Sequence, residues 1–165
     1  MQHDTFTVHF LLHSATLVEE KLRLRLAELG ISHRQARILD ALDRLGKASQ
    51  AQIAREFDLT PASMSTMTVR LLEAGFISRA RHPEEARSNV VQLSDKGRSL
   101  LSEVRHAWAD TDSMIAATIG PEKAEQLAEL ARELRDALGG HMPGQVPEPA
   151  DGKSHPAGTG SKQNS

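Results

Sequence analysis

The 165-residue sequence predicts a mainly α-helical chain with one small β-hairpin, and three observations carry that expectation. Apolar residues recur at helical spacing over most of the chain, and a serine or threonine stands where several of those runs begin. The period switches to the alternation of strands only between residues 76 and 93. Composition agrees: 39% of residues are hydrophobic but only 3% aromatic, with one Trp and no Tyr, so the core is expected to be aliphatic.

The first element is a long amphipathic helix over residues 4–29, with Phe6, Phe10, Leu11, Leu17, Val18, Leu22, Leu26 and Leu29 mostly three, four or seven apart, ending at Gly30. At 1.5 Å per residue it spans roughly 39 Å, more than one side of a domain this size covers, so part of it is expected to pack against a second copy. Ser32 and Gln35 have capping-box spacing ahead of Ala36, Ile38, Leu39, Leu42 and Leu45, and Gly46 closes that helix. Ser49 caps a short helix carrying Ile53, Ala54 and Phe57. After the turn Asp58-Leu59-Thr60, Thr60 as N-cap and Pro61 at the first helical position open a helix running to Gly75.

Residues 76–81 and 89–93 read as two strands joined by His82-Pro83-Glu84-Glu85-Ala86-Arg87-Ser88, a hairpin with a polar tip. Ser94 then caps a long helix with Leu100, Leu101, Val104, Trp108, Met114 and Ile115. It breaks at Gly120-Pro121 before a last helix with Leu127, Leu130, Leu134 and Leu138. From Gly139 onward the chain holds six of its eleven glycines, and from His141 four of its seven prolines, so residues 141–165 are expected to be a disordered tail.

Several function classes fall away at this level. The absence of cysteine removes disulfides, thiolate nucleophiles and Cys-type zinc sites. No apolar run approaches the roughly 20 residues that cross a bilayer, and the opening segment lacks a signal-peptide pattern, so no membrane association is expected and the cytoplasm is the expected location. There is no nucleophile elbow, Walker loop, dinucleotide glycine pattern or H-E-x-x-H, so an enzyme is not expected and no cofactor is implied.

What the order of elements does suggest is DNA binding. Two helices joined by a tight turn and followed by a β-hairpin form a winged helix-turn-helix, whose second helix enters the major groove while the hairpin follows the backbone. The net charge of −2 divides unevenly: −3 over residues 1–20, +5 over 21–98, −4 over 99–140 and neutral beyond. Local potential governs polyanion binding, so the basic middle counts for more than the total. On the 60–75 helix, Met64, Met67, Leu71 and Leu72 form the inward stripe, leaving Ala62, Ser63, Ser65, Thr66, Val69, Arg70 and Glu73 outward. Small hydroxyl-bearing residues permit close approach to base edges, and Arg70 reaches phosphate or guanine. Arg79, Arg81 and Arg87 lie on the hairpin, with Arg87 placed to enter a minor groove.

The runs SQAQIAREFDLTPASMSTMTVRLLEAG and GFISRARHPEEARSNVVQLSDKG resemble the helix-turn-helix and wing of the MarR family of bacterial transcriptional regulators, and the resemblance covers roughly residues 5–138. It implies one domain over 1–140, with dimerisation helices at 1–30 and 95–140 and a DNA-binding lobe at 31–94. It also implies a homodimer on a pseudo-palindromic double-stranded operator, repressing until a small molecule releases it. Arg87 matches the family's wing-tip arginine; Glu85 stands where aspartate is usual, Ala86 where a basic residue is frequent, and Thr66 where many members carry an arginine.

Inducers in this family commonly bind between the dimerisation helices and the lobe, which makes His9, His13, His106 and Trp108 the candidate contacts for a small aromatic or carboxylic ligand. His9 with His13 and His106 with Asp110 also have the i,i+4 spacing of metal ligands. Eight histidines in 165 residues give such pairs by chance, and no metal is assigned. The competing expectation is a winged-helix dimer that works through protein partners without specific DNA binding.

Overall fold

The computed structural model describes residues 7–81 and 89–140. The order is α1 (Thr7–Glu28), α2 (His33–Leu45), β1 (Lys47–Ser49), α3 (Gln50–Glu56), α4 (Pro61–Glu73), β2 (Ile77–Arg81), β3 (Asn89–Leu93), α5 (Asp95–Ile119) and α6 (Pro121–Ala137). The fold is therefore mainly helical with a small antiparallel sheet, as the periodicity predicts. The expected disordered tail, 141–165, lies outside the described residues.

Local chemistry fixes most of the boundaries. The Ser32 hydroxyl accepts from the Gln35 backbone N–H at 3.3 Å, and the Gln35 side chain accepts from the Ser32 N–H at 3.0 Å, a complete capping box on α2. Ser49, Thr60 and Ser94 each accept from a backbone N–H three residues on, at 3.1, 3.2 and 3.0 Å, starting α3, α4 and α5. Helix α4 stops at Glu73, short of the predicted Gly75, because Gly75 (φ +73°) begins a Schellman closure in which Gly75 N–H donates to Leu72 O and Phe76 N–H to Leu71 O. The same closure ends α3, with Asp58 (φ +50°) in the left-handed position. Asp58 N–H reaches Arg55 O at 3.3 Å and Leu59 N–H reaches Ala54 O at 2.8 Å, and this closure turns the chain from α3 into α4.

The sheet departs from the expected hairpin by one strand. β1 pairs antiparallel with β3, giving the order β1-β3-β2, with Ala48 opposite Val91 and Ile77 opposite Leu93. β1 has three residues, too few for an alternation to show, and its pairing partner lies more than forty positions away. Ala48, Val91, Ile77 and Leu93 bury their side chains against Leu39, Leu42, Ile53 and Leu101, so the sheet closes one side of an aliphatic core that also holds Leu22 and Leu26 of α1.

Helix α4 carries a buried residue that its pattern does not advertise. Thr68 is 1% exposed, between Met64 and Leu71, and its hydroxyl has no hydrogen-bond partner among the described residues. An orphaned buried hydroxyl is a cost that valine, of nearly the same shape, removes. Thr68→Val is expected to raise stability by about 1 kcal/mol in a denaturant titration. A decrease of similar size would show that the hydroxyl is satisfied in solution.

Helices α1 and α6 leave much of their apolar surface open. Leu22 and Leu26 are the buried residues of α1, whereas Phe10, Leu17 and Leu24, spaced by seven, are 64%, 54% and 54% exposed. α6 packs on α5 and buries none of its residues, leaving Leu127, Leu130, Leu134 and Leu138 open. Exposed apolar patches of this extent mark an interaction surface.

Candidate nucleic-acid interface

The outward face of α4 has the composition the pattern predicts: Ala62, Ser63, Ser65, Thr66, Val69, Arg70 and Glu73 are all exposed or half-exposed. Met64 and Leu71 are buried, and Met67 and Leu72 pack half-buried against the core. Pro61 has no N–H and the Thr60 cap takes that of Ser63, so the Ala62 N–H and the positive end of the helix dipole remain for a phosphate.

Two of the hydroxyls on this face are already engaged. Thr66 Oγ1 donates to Ala62 O at 3.1 Å, and Thr60 Oγ1 donates to Ser63 Oγ at 2.9 Å. Thr66 therefore keeps a γ-methyl and an oxygen acceptor to present, and no proton for a base edge.

The end of α4 is held by the start of α5. Ser94 Oγ donates to Gly75 O at 2.6 Å, Ser94 N–H to Phe76 O at 3.1 Å and Lys96 Nζ to Ala74 O at 2.8 Å, while the Lys96 ammonium sits 5.0 Å from the centre of the Phe76 ring. These contacts satisfy carbonyls that the helix end leaves open and set a cation where the dipole favours one. Further along, Arg105 donates to Asp40 at 2.8 and 3.2 Å and to Asp43 at 2.8 Å, with Arg44 at 3.2 Å from Asp40. The network ties α5 to α2, and the bonds to Asp40 and Asp43 raise the Arg105 pKa above its usual range. Sequence inspection missed it because Arg105 lies more than sixty positions from both aspartates.

On the wing, Ile77 is buried at the root of β2, and Arg79, two residues further along the same face, is exposed. Arg81 ends β2, and its side chain lies outside the described residues, as does Arg87 with the acids expected beside it.

The ligand candidates do not converge within the chain. His9 and His13 are exposed and line a shallow recess with Phe10, Leu12 and Thr16, all five on α1, so its walls come from one helix. Arg25, the α1 residue that reaches Asp110 of α5 at 3.6 Å, lies about 18 Å of helix beyond His13. His106 is exposed on α5, while Trp108 packs half-buried against the core. No three metal-ligating side chains cluster among the described residues. The pattern had not singled out His33, at the start of α2; burial, reinforced by Arg37 and opposed by Glu19, lowers its pKa.

Comparison with known proteins adds the context. Residues 31–88 match the MarR family. Over 121 residues the chain is 29% identical to an HTH-type transcriptional regulator of Mycobacterium bovis, covering 73% of this chain and 77% of that protein. Among solved structures, the transcriptional repressor CouR bound to a 23-mer DNA duplex superposes with a TM-score of 0.71 at 22% identity, over 78% of this chain and 92% of that one. A mutant MarR from E. coli complexed with operator DNA gives 0.66 at 16% identity, over 78% and 94%. These two likenesses are of fold.

Proposed function

We propose that the chain is a MarR-type winged-helix transcriptional regulator rather than an enzyme, and that it acts as a homodimer on a pseudo-palindromic double-stranded operator. The observation that carries this reading is the exposed face of α4, small and open at its N-terminal end, on the element that a helix-turn-helix protein inserts into the major groove. DNA in the structures of CouR and of mutant MarR supports it. Ala62, Ser63, Ser65, Thr66 and Arg70 face the groove in this reading, and Arg79, Arg81 and Arg87 run along the backbone and into the adjacent minor groove. Residues 31–94 form the DNA-binding lobe, and the open apolar faces of α1 and α6 meet their two-fold mates, which places the two α4 helices about 34 Å apart. No helix among the described residues is long and apolar enough to cross a membrane, and a cytoplasmic location belongs to the same proposal.

Repression is the direction favoured by relatives named as transcriptional repressors, such as one from Mycobacterium tuberculosis, 21% identical over 126 residues. Release by a small aromatic or carboxylic acid completes the reading, with Trp108 as the reporter. Such a ligand quenches Trp108 fluorescence and weakens DNA binding, and by linkage the DNA weakens the ligand by the same factor. Equal ligand affinity with and without DNA would remove induction through that region.

Selection of bound duplexes from a random pool tests the main proposal. Enrichment of inverted repeats about one helical turn apart, centre to centre, is the expected result. Recovery of no common sequence would favour action through protein partners.

A further inference from the structure

Exposed large apolar side chains mark what a surface is built to touch. Among the described residues there are twelve such side chains, and eleven lie on α1, α5 and α6 or at the end of α6. The twelfth is Val69 on α4, 46% exposed, alone in the DNA-binding lobe and away from the faces assigned to dimerisation.

Toward the N-terminal end of α4, Val69 has apolar company. At 100° per residue, Ala62, Thr66 and Val69 fall within a narrow strip along the outermost line of the helix, which the Glu73 carboxylate ends one turn beyond Val69, with Ser63 and Arg70 on one flank and Ser65 on the other. The Thr66 hydroxyl gives its proton to Ala62 O at 3.1 Å, so from Ala62 to Val69 the strip offers methyl groups and no donor to a base edge. From Ala62 to Val69 the helix rises about 10.5 Å, close to three base-pair steps. The major-groove feature that matches a methyl group is the C5-methyl of thymine.

We infer that Ala62, Thr66 and Val69 are specificity-determining residues that read thymine C5-methyl groups, so each operator half-site carries thymines at the positions facing this strip. The inference rests on the DNA-binding reading above and adds the chemistry of the base edge. Flanking Ser63, Ser65 and Arg70 hold the backbone or neighbouring bases, and the strip discriminates.

The test uses the full-length protein and a duplex recovered by selection, with each thymine replaced in turn by deoxyuridine, which lacks only the methyl group. Affinity is expected to fall about four-fold for each thymine methyl removed from beneath the strip, at two or more positions per half-site, while affinity for unrelated DNA stays unchanged. Thr66→Val, which keeps the methyl, is expected to bind as the unaltered protein does. Thr66→Ser, which keeps the hydroxyl and drops the methyl, is expected to bind the thymine duplex more weakly and to be indifferent to deoxyuridine at one position. Uniform affinity across the deoxyuridine series, or weaker binding by Thr66→Val with unweakened binding by Thr66→Ser, overturns the inference and leaves DNA binding standing. Failure to recover any duplex overturns the DNA-binding reading itself.

Discussion

Gly97→Ala is expected to destabilise the protein by about 3 kcal/mol or more, which lowers Tm by roughly 10 °C. A Cβ at this position falls 1.9 Å from Phe76 O, 2.9 Å from Phe76 C and 3.3 Å from Leu93 Cδ2. The first two are backbone atoms, so no side-chain rotation relieves the clash. The Phe76 carbonyl also accepts the Ser94 N–H, and Ser94 and Lys96 hold the carbonyls that follow α4. Moving Phe76 away therefore opens the junction that fixes α4, and DNA affinity is expected to fall at temperatures where the variant is still folded. Gly30→Ala is the control: nothing lies within 4 Å of its Cβ, and its cost is the left-handed backbone alone at φ +71°, about 1 kcal/mol. Thermal melts of both variants check the difference, and equal Tm values would contradict the packing described for the α4–α5 junction.

The second large effect concerns assembly. Leu130 and Leu134 are 63% and 45% exposed on a helix that buries nothing, so changing both to glutamate removes little from the fold of a single chain. In the proposed dimer the same change sets charges in an apolar interface. The double variant is expected to sediment as a monomer with an unchanged helical spectrum. Its affinity for the selected duplex is expected to fall by about 100-fold or more, because one lobe no longer has the effective concentration supplied by its twin. A variant that sediments and binds as the parent does would show that this face of α6 takes no part in the assembly.

How far the sequence could be read follows from which interactions are local. Ser32 with Gln35, Thr60 with Pro61, Ser49 and Ser94 act within three or four residues, and each marks a helix start in the sequence as in the structure. The outward residues of α4 follow in the same way from a single helical period. β1 escapes because three residues carry no period, and the Arg105 pairs with Asp40 and Asp43 escape because only tertiary packing brings them together. Thr68 goes unassigned for a different reason: a threonine signals a polar face, yet the geometry of α4 turns it inward between Met64 and Leu71. The Thr66 hydroxyl proton is spent on the carbonyl four residues back, an interaction the residue type alone does not announce.

The central proposition is that two copies of this chain grip one duplex through α4 and the wing, with phosphate contacts on both halves. Affinity for the selected duplex measured against salt concentration tests it most directly. The affinity of a dimer that neutralises about six to ten phosphates falls about 1,000-fold or more between roughly 50 and 200 mM salt, with log affinity linear in log concentration. A flat response across that range, or no measurable binding at its low end, would contradict the account.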